Sequence, residues 1–286
     1  MVKAVMGGGG IGMGVARDEG ELRTAVETAS TRGARFFADP SVFIERYVER
    51  ARHVEVQILA DEHRTLHLYE RECTVQRRHQ KVIEEAPSPA LDRELRRRLF
   101  DTAVDSMQAI GYRGVGTVEC VLTPEREFFF LEVNARLQVE HPITEVTCHV
   151  DLVEEQLRIA SGTGMSLERT PVRNGHAMEF RIYAEDPRTF LPSPGRLSRL
   201  VFGDANRDLT RYDFGYDEGD EIPMFYDPLI GKIIVRGGAH YSTIGYAVAL
   251  SQLEIEGVKT NLPALLEVLQ DERFRSGDYD TSLLGK

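Results

Sequence analysis

A chain of 286 residues, 42% hydrophobic and 28% charged, has material for one large domain or two smaller ones around a buried core. Its 46 acidic residues against 35 basic ones leave a net charge of −11, which argues against a nucleic-acid partner but not against a locally basic phosphate pocket. No apolar run approaches the roughly 20 residues of a membrane-spanning helix. Three widely spaced cysteines, Cys73, Cys120 and Cys148, form neither a disulfide framework nor a zinc motif, and read as packed thiols of a reducing compartment such as the cytosol.

In chain order, Val2 to Val5 reads as a strand, and four consecutive glycines follow from Gly7. The strand needs a neighbour, so the chain is expected to be truncated at its N-terminus. Leu22, Ala25, Val26 and Ala29 recur at helical spacing, with Gly33 placed as the residue just past that helix. Phe43 to Tyr47 reads as a short strand. From His53 to Leu59 strict alternation puts His53, Glu55 and Gln57 on one face and Val54, Val56 and Ile58 on the core face. Ser88-Pro89 offers an N-cap and a first-turn proline. Leu91, Leu95, Leu99, Ala103, Met107 and Ile110 continue as one apolar stripe, and Gly111 can end the helix. Strands are expected at 116–122 and 128–134, and a helix at about 150–161. Further strands fall at 177–183, 196–202 and 232–235, before helical patterns near 242–254 and 261–270. This mixed order predicts an α+β protein rather than a regular βαβ series.

Four stretches carry chemistry. The glycine run leaves N–H groups unshielded to fold over phosphate oxygens, with Lys3 adding charge, although a merely flexible turn reads the same way. A hairpin centred between Glu125 and Arg126 sets Glu119 opposite Glu132, with Asn134 two residues on. Opposed carboxylates repel, and a divalent cation reverses that penalty. The bland alternative is a solvated hairpin face, against which the apolar run Phe128 to Leu131 predicts a central strand. Arg71 to Lys81 is dense in donors, as an anion site requires and as a solvated surface also is. Arg136 to Pro142 follows the metal-candidate strand directly. It offers an arginine for a planar oxyanion and a carboxylate, Glu140, for a proton, unless these are ordinary loop charges.

Taken together, Val75-Gln76-Arg77-Arg78-His79-Gln80-Lys81 and the run from Glu132 to Glu145 resemble the biotin carboxylases of the ATP-grasp superfamily. So do Ala184-Glu185-Asp186-Pro187, Phe190 to Gly195, Tyr226-Asp227-Pro228 and Ile230-Gly231-Lys232, and the likeness covers essentially the whole chain. The resemblance implies an α+β ATP-grasp fold with a lid subdomain at 1–47, a catalytic core at 48–165 and the family's C-terminal region at 166–286. It implies that Lys3, Gly8, Gly9 and Gly10 close over the ATP phosphates. Glu45, Arg46 and Val48 would meet the adenine, and His53, Gln76 and His79 would line the nucleotide site. Glu119 and Glu132, with Asn134 nearby, would hold Mg²⁺ or Mn²⁺. Lys81, Arg136, Gln138 and the Val139 backbone would hold bicarbonate. Glu140 would be the general base, and Arg211 would stabilise the enolate-like biotin.

The implied partners are a biotin carboxyl carrier domain and a carboxyltransferase, in a homo-oligomer that acts in fatty-acid or related acyl metabolism. No nucleic acid or membrane partner is implied. The compartment is the cytosol, or the mitochondrial matrix had a preceding segment carried a transit peptide. The chain departs from the family at Ile11 and Gly14, where arginine is frequent, by one extra residue near Thr123-Pro124, and around Arg211 to Tyr216. On this resemblance the family's N-terminal Rossmann-like subdomain is expected to be absent from the chain. Two rival readings are another ATP-grasp ligase, which should lack the RRHQK and QVEHP stretches, and a remnant that binds nucleotide or partner subunits without turnover.

Overall fold

The computed structural model describes residues 1–7, 12–203 and 208–285. The predicted phosphate-loop residues Gly8, Gly9 and Gly10, with Ile11, lie outside the described residues.

The N-terminal strand finds its neighbours within the chain. β1 (Val2–Ala4) pairs antiparallel with both β2 (Met13–Gly14) and β3 (Val42–Ile44), and α1 (Glu19–Phe37) packs against this small sheet. Asp18 caps α1 by accepting from Glu21 N. Gly33 does not end the helix: α1 runs four residues further and closes on Ala38, which takes the left-handed conformation. What requires glycine at 33 is proximity, because a Cβ there would stand 2.5 Å from the Asp39 carbonyl oxygen.

β4 (Arg52–Ala60), β5 (Thr65–Arg77) and β6 (Gln80–Ala86) form a meander. α2 (Arg93–Ala109) starts later than the Ser88-Pro89 signal, capped by Asp92, whose carboxylate accepts from Leu95 N at 2.8 Å. Ser88 instead donates to the buried Glu72. Leu91, Leu95, Leu99, Ala103 and Met107 of the predicted stripe pack on Val54, Val56 and Ile58, as the alternation of β4 requires, while Ile110 is exposed. Burial of each large member contributes about 1.5–3 kcal/mol.

β7 (Gly114–Leu122) and β8 (Phe128–Asn134) form the predicted hairpin, but it turns on Glu125, with Thr123 N donating to Glu127 O at 2.8 Å. Near the turn Leu122 faces Phe128 and Cys120 faces Phe130; a bulge then inserts Leu131 and brings Glu132 opposite Glu119 all the same. β8 is an edge strand rather than a central one, and Phe129 and Phe130 are exposed.

The rest of the chain supplies α3 (His141–Cys148), α4 (Leu152–Ala160), β9 (His176–Tyr183), β10 (Gly195–Arg196), β11 (Arg199–Val201), β12 (Thr210–Phe214), β13 (Glu221–Ile222), β14 (Leu229–Gly237), α5 (His240–Tyr246), β15 (Glu254–Glu256), α6 (Leu262–Val268) and α7 (Glu272–Ser276). The expected strand at 196–202 is divided between two small sheets, β10–β13 and β11–β15. The helical pattern at 242–254 becomes α5 and a 3₁₀ turn, Ala247–Gln252.

Among the described residues, an eight-stranded antiparallel sheet runs β12-β14-β9-β6-β5-β4-β7-β8. Its second core, around Phe180, Ile182, Ile233 and Leu250, lies under α5, α6 and α7. The α+β class is therefore as expected. The three cysteines are free and buried, and burial pushes the Cys120 and Cys148 thiols up to about 12 and about 11, so they are packed thiols rather than nucleophiles. Among the described residues no helix is long and apolar enough to cross a membrane.

Candidate active site

One rung of the large sheet collects an unusual row of charges. Arg71 on β5 faces Glu55 on β4, Glu55 faces Glu119 on β7, and Glu119 faces Glu132 on β8. Two residues further along, Gln57 faces Thr117 and Thr117 faces Asn134. Alternation along each strand aims these side chains away from the α2 core.

Three carboxylates in a row repel unless cations intervene, and here two do. Arg71 is fully buried and spends its fork locally: Nε donates to Glu55 Oε1 at 2.6 Å, Nη1 to Gln57 Oε1 at 2.5 Å and Thr144 Oγ1 at 2.9 Å, and Nη2 to Thr117 Oγ1 at 3.1 Å. Lys81 on β6 donates to Glu55 Oε2 at 2.5 Å, Glu119 Oε1 at 2.9 Å and Glu140 Oε1 at 2.6 Å. Burial would lower the pKa of both cations, but the surrounding carboxylates raise them above their ordinary values.

Glu140 is wholly buried at the start of α3. Burial works to raise its pKa, but Lys81, Arg181 and Arg71 outweigh it and hold the carboxyl well below the usual range. Arg181, from β9, reaches Glu140 Oε2 at 3.0 Å and also pairs with Glu84. Glu119 is likewise pulled down, to about 2: burial raises it, and the His53 and Lys81 contacts lower it further. His53 Nε2 stands 3.0 Å from Glu119 Oε2, and its Nδ1 meets Gln76 Nε2 at 2.9 Å.

Asn134 joins the two predicted metal carboxylates, with Nδ2 donating to Glu119 at 3.0 Å and Glu132 at 3.3 Å. Its Oδ1 accepts from Arg136 Nη2 at 3.1 Å, while Arg136 Nη1 reaches Gln138 Oε1 at 2.8 Å and Gln138 Nε2 returns to Glu119 at 3.1 Å. The Val139 carbonyl accepts from Lys232 Nζ at 2.5 Å. His53, Gln76, Lys81, Glu119, Glu132, Asn134, Arg136, Gln138 and Glu140 thus belong to one connected network, with Val139 beside it in the chain and bonded to Lys232.

Other predicted residues stand apart. Lys3 is ion-paired with Glu45 in the small sheet. Arg46 is exposed and Val48 is half-buried. His79 sits exposed in the β5–β6 turn with positive φ. Arg211 on β12 donates to Glu145 Oε2 at 2.7 Å and Asp213 Oδ1 at 2.8 Å. Glu145 lies one helical turn past Glu140 on α3, so Arg211 is one short helix away from the buried carboxylate.

Sequence reasoning gave no individual role to Glu55, Arg181 or Glu145, and named Arg71 only as the first residue of the donor-dense stretch. Glu55 was marked by its place on the polar face of β4. Arg181 was marked only by being a cation inside an otherwise buried strand.

Comparison with known proteins gives this geometry a lineage. Residues 1–168 match the family model described as carbamoyl-phosphate synthase L chain, ATP binding domain, and residues 179–286 match that of the biotin carboxylase C-terminal domain. Biotin carboxylase 2 of Bacillus subtilis is 48% identical over 99% of this chain and 64% of its own length. The methylcrotonoyl-CoA carboxylase α subunit of Dictyostelium discoideum is 42% identical over 99% of this chain and 41% of its own. The Campylobacter jejuni biotin carboxylase β-γ-ATP complex superposes with a TM-score of 0.95 at 38% identity, covering 99% of this chain and 64% of that one. The biotin carboxylase domain dimer of Hydrogenobacter thermophilus 2-oxoglutarate carboxylase, solved with MgADP, ADP and bicarbonate, gives 0.95 at 37% identity, covering 99% and 63%. The chain thus spans a little under two thirds of the bacterial biotin carboxylase relatives it matches. With the ATP-grasp sheet, the connected Lys81–Glu140 network and both family models in register, the chain belongs to the biotin carboxylase family of ATP-grasp proteins.

Proposed function

We propose that this chain carries out the ATP-dependent carboxylation of biotin with bicarbonate, through carboxyphosphate, as the first half-reaction of a biotin-dependent carboxylase. The observation that carries this reading is Glu140: a fully buried, ionised carboxylate gripped by Lys81 and Arg181, and linked through Gln138 and Arg136 to the Glu119–Asn134–Glu132 strand pair. Bicarbonate would sit between Lys81, Arg136, Gln138 and the Val139 backbone. As Lys81 and Arg136 turn their donors toward that anion, Glu140 loses part of the positive field that depresses its basicity. It then accepts the bicarbonate proton, and the freed oxygen attacks the γ-phosphorus of ATP with ADP leaving. Carboxyphosphate breaks to CO₂ and phosphate, the phosphate takes the proton from biotin N1, and the nitrogen attacks CO₂. Arg211 would polarise the ureido oxygen, a task suited to a cation that stays charged.

The oxygen donors of Glu119 and Glu132 fit a hard divalent ion such as Mg²⁺, which takes one or two carboxylates together with nucleotide phosphates. Lodged there, the ion would neutralise phosphate charge. The donor atoms of His53, Glu55 and Glu119 lie within 4.8 Å of one another, so the buried end of this row belongs to Glu55 as well. Lys3, Glu45, Arg46, Val48, His53, Gln76 and His79 would hold the nucleotide, with the lid at 1–47, the core at 48–165 and the C-terminal region at 166–286. Relatives named as α subunits of methylcrotonoyl-CoA and propionyl-CoA carboxylases support a carrier domain and a carboxyltransferase as partners, and the dimeric Hydrogenobacter structure supports a homo-oligomer.

The test is ATP cleavage measured with and without bicarbonate and free biotin, alongside calorimetric titration of MgATP into the chain. Glu140→Gln should lower bicarbonate-dependent cleavage by roughly 10²–10⁴-fold, the range of general-base contributions, while MgATP still binds. Arg211→Ala should spare bicarbonate-dependent cleavage and abolish biotin carboxylation. Cleavage indifferent to both bicarbonate and biotin would overturn the proposal.

A further inference from the structure

Glu84 and Glu85 are consecutive on β6 and go to different clusters. Glu84 joins Arg181 beside Glu140. Glu85 meets two imidazoles instead, with His176 Nε2 at 2.8 Å and His240 Nδ1 at 2.7 Å from its Oε2. Its other oxygen accepts from the Tyr279 hydroxyl. Glu85 and His176 are buried, and His240 stands half-buried at the start of α5.

The proton bookkeeping of the two rings is informative. Thr243 gives its hydroxyl proton to the Ala239 carbonyl at 2.9 Å, so it can only accept at 3.1 Å from His176 Nδ1, which must carry the hydrogen. His240 Nε2 lies 2.9 Å from the Phe274 carbonyl, an acceptor only, so this nitrogen is protonated too. The remaining nitrogen of each ring faces the same Glu85 oxygen, and its lone pair is open to a metal ion that takes the place of a proton shared with that carboxylate. His176 Nε2 is buried without a hydrogen-bond partner, although Glu85 Oε2 stands 2.8 Å away. The rings stand nearly perpendicular, at 86° with centroids 5.7 Å apart, so the two lone pairs can converge. A ring whose outer N–H is fixed by a carbonyl or hydroxyl while its inner nitrogen points at a shared centre is arranged as a metal ligand is.

We propose that Glu85, His176 and His240 form a site for a borderline divalent cation, Zn²⁺ foremost, separate from the carboxylate row of the candidate active site. The three donor atoms lie within 4.8 Å of one another. Two imidazoles and a carboxylate are a zinc donor set, and bonds of roughly 2.0–2.2 Å leave a fourth position for water. Accepting the ion requires Glu85 to draw back by a few tenths of an ångström. The ion would tie β6 and β9 to α5 and, through Phe274 and Tyr279, to the C-terminal residues that pack there.

The test titrates Zn²⁺, and separately Co²⁺, into the metal-stripped chain, with calorimetry, Co²⁺ visible absorption and thermal unfolding as readouts. His240→Arg is the informative variant: its guanidinium still gives Glu85 a cation, so the fold is kept, but it cannot ligate. The expected result is one tight equivalent with a Co²⁺ spectrum of four-coordinate nitrogen–oxygen type and a raised Tm. His240→Arg should weaken this by more than the roughly 10–100-fold that follows loss of even an outer-sphere partner. Should His240→Arg misfold, Thr243→Val, which frees the His176 ring, must still weaken binding. Stoichiometry, spectrum and Tm response unchanged in a folded His240→Arg would overturn the site, as would the absence of tight Zn²⁺ binding to the parent chain.

Discussion

Lys81 donates to three carboxylates, and an ammonium has three hydrogens to give. Any anion that binds there must take a donor from Glu55, Glu119 or Glu140, so the network is built to rearrange. Arg71 is the opposite case, since its contacts are all with protein groups inside the sheet. It is the fixed counter-charge that remains beside Glu55 when Lys81 turns away. Replacing Arg71 with methionine should destabilise the chain by about 3–5 kcal/mol, the cost of leaving a buried partner uncompensated, and adding Glu55→Gln should recover part of that loss. Urea denaturation of the single and double variants checks this, and a single-variant loss under about 1 kcal/mol would show Arg71 to be dispensable. The donor-dense stretch from Arg71 reads equally as solvated surface in the sequence, because charge alone does not report depth. The pairing of Glu55 with Arg71 across neighbouring strands places that arginine inside, whereas Arg78, His79 and Gln80 of the same stretch are exposed.

At the scale of elements, local periodicity was a sound guide and end signals were not. The alternation of β4 and the stripe of α2 are where they were expected, because each is set by which face meets the core. The start of α2 was not, since Ser88 serves the buried Glu72 and leaves capping to Asp92. The Glu119–Glu132 pairing was legible although the turn sits half a residue from its expected centre, because the Leu131 bulge restores the register. A bulge leaves no mark in the pattern, and neither does an edge position, which is why Phe128 to Leu131 read as a central strand. Gly33 poses the same problem in α1. In a free helix Gly→Ala gains up to about 1 kcal/mol; here the new Cβ would meet backbone at 2.5 Å. Gly33→Ala should therefore lower the Tm, and a rise would mean that the Asp39 segment yields without strain.

The whole molecule is joined by pairings that no local pattern contains. β6 meets β9, and β14 joins β9 to β12, so strands some hundred residues apart in sequence complete the sheet that begins with the carboxylate row. One consequence is that Glu84 on β6 faces Glu179 on β9, two buried carboxylates directly opposite each other. Burial pushes Glu84 up to about 7 against the lowering pull of Arg181, and Glu140 nearby pushes in the same direction as burial. Burial raises Glu179 well above the usual range as well. A carboxyl whose pKa rises on folding binds its proton more tightly in the folded state, so its contribution falls as pH climbs from about 4.5, the unfolded value, through about 7. Glu140 acts oppositely: its depressed pKa makes its contribution complete above about 4.5 and removes it as pH falls below that. Together the two place the stability optimum of the sheet on the acid side of neutrality. The urea midpoint of the chain should decline between pH 5 and roughly 8, and in Glu84→Gln, which cannot ionise there, that decline should become shallower, Glu179 supplying what remains, while the loss below pH 4.5 is unchanged. Parallel profiles for the two proteins would mean that Glu84 is already ionised in the fold, its charge met by Arg181 despite the carboxylate across the ladder.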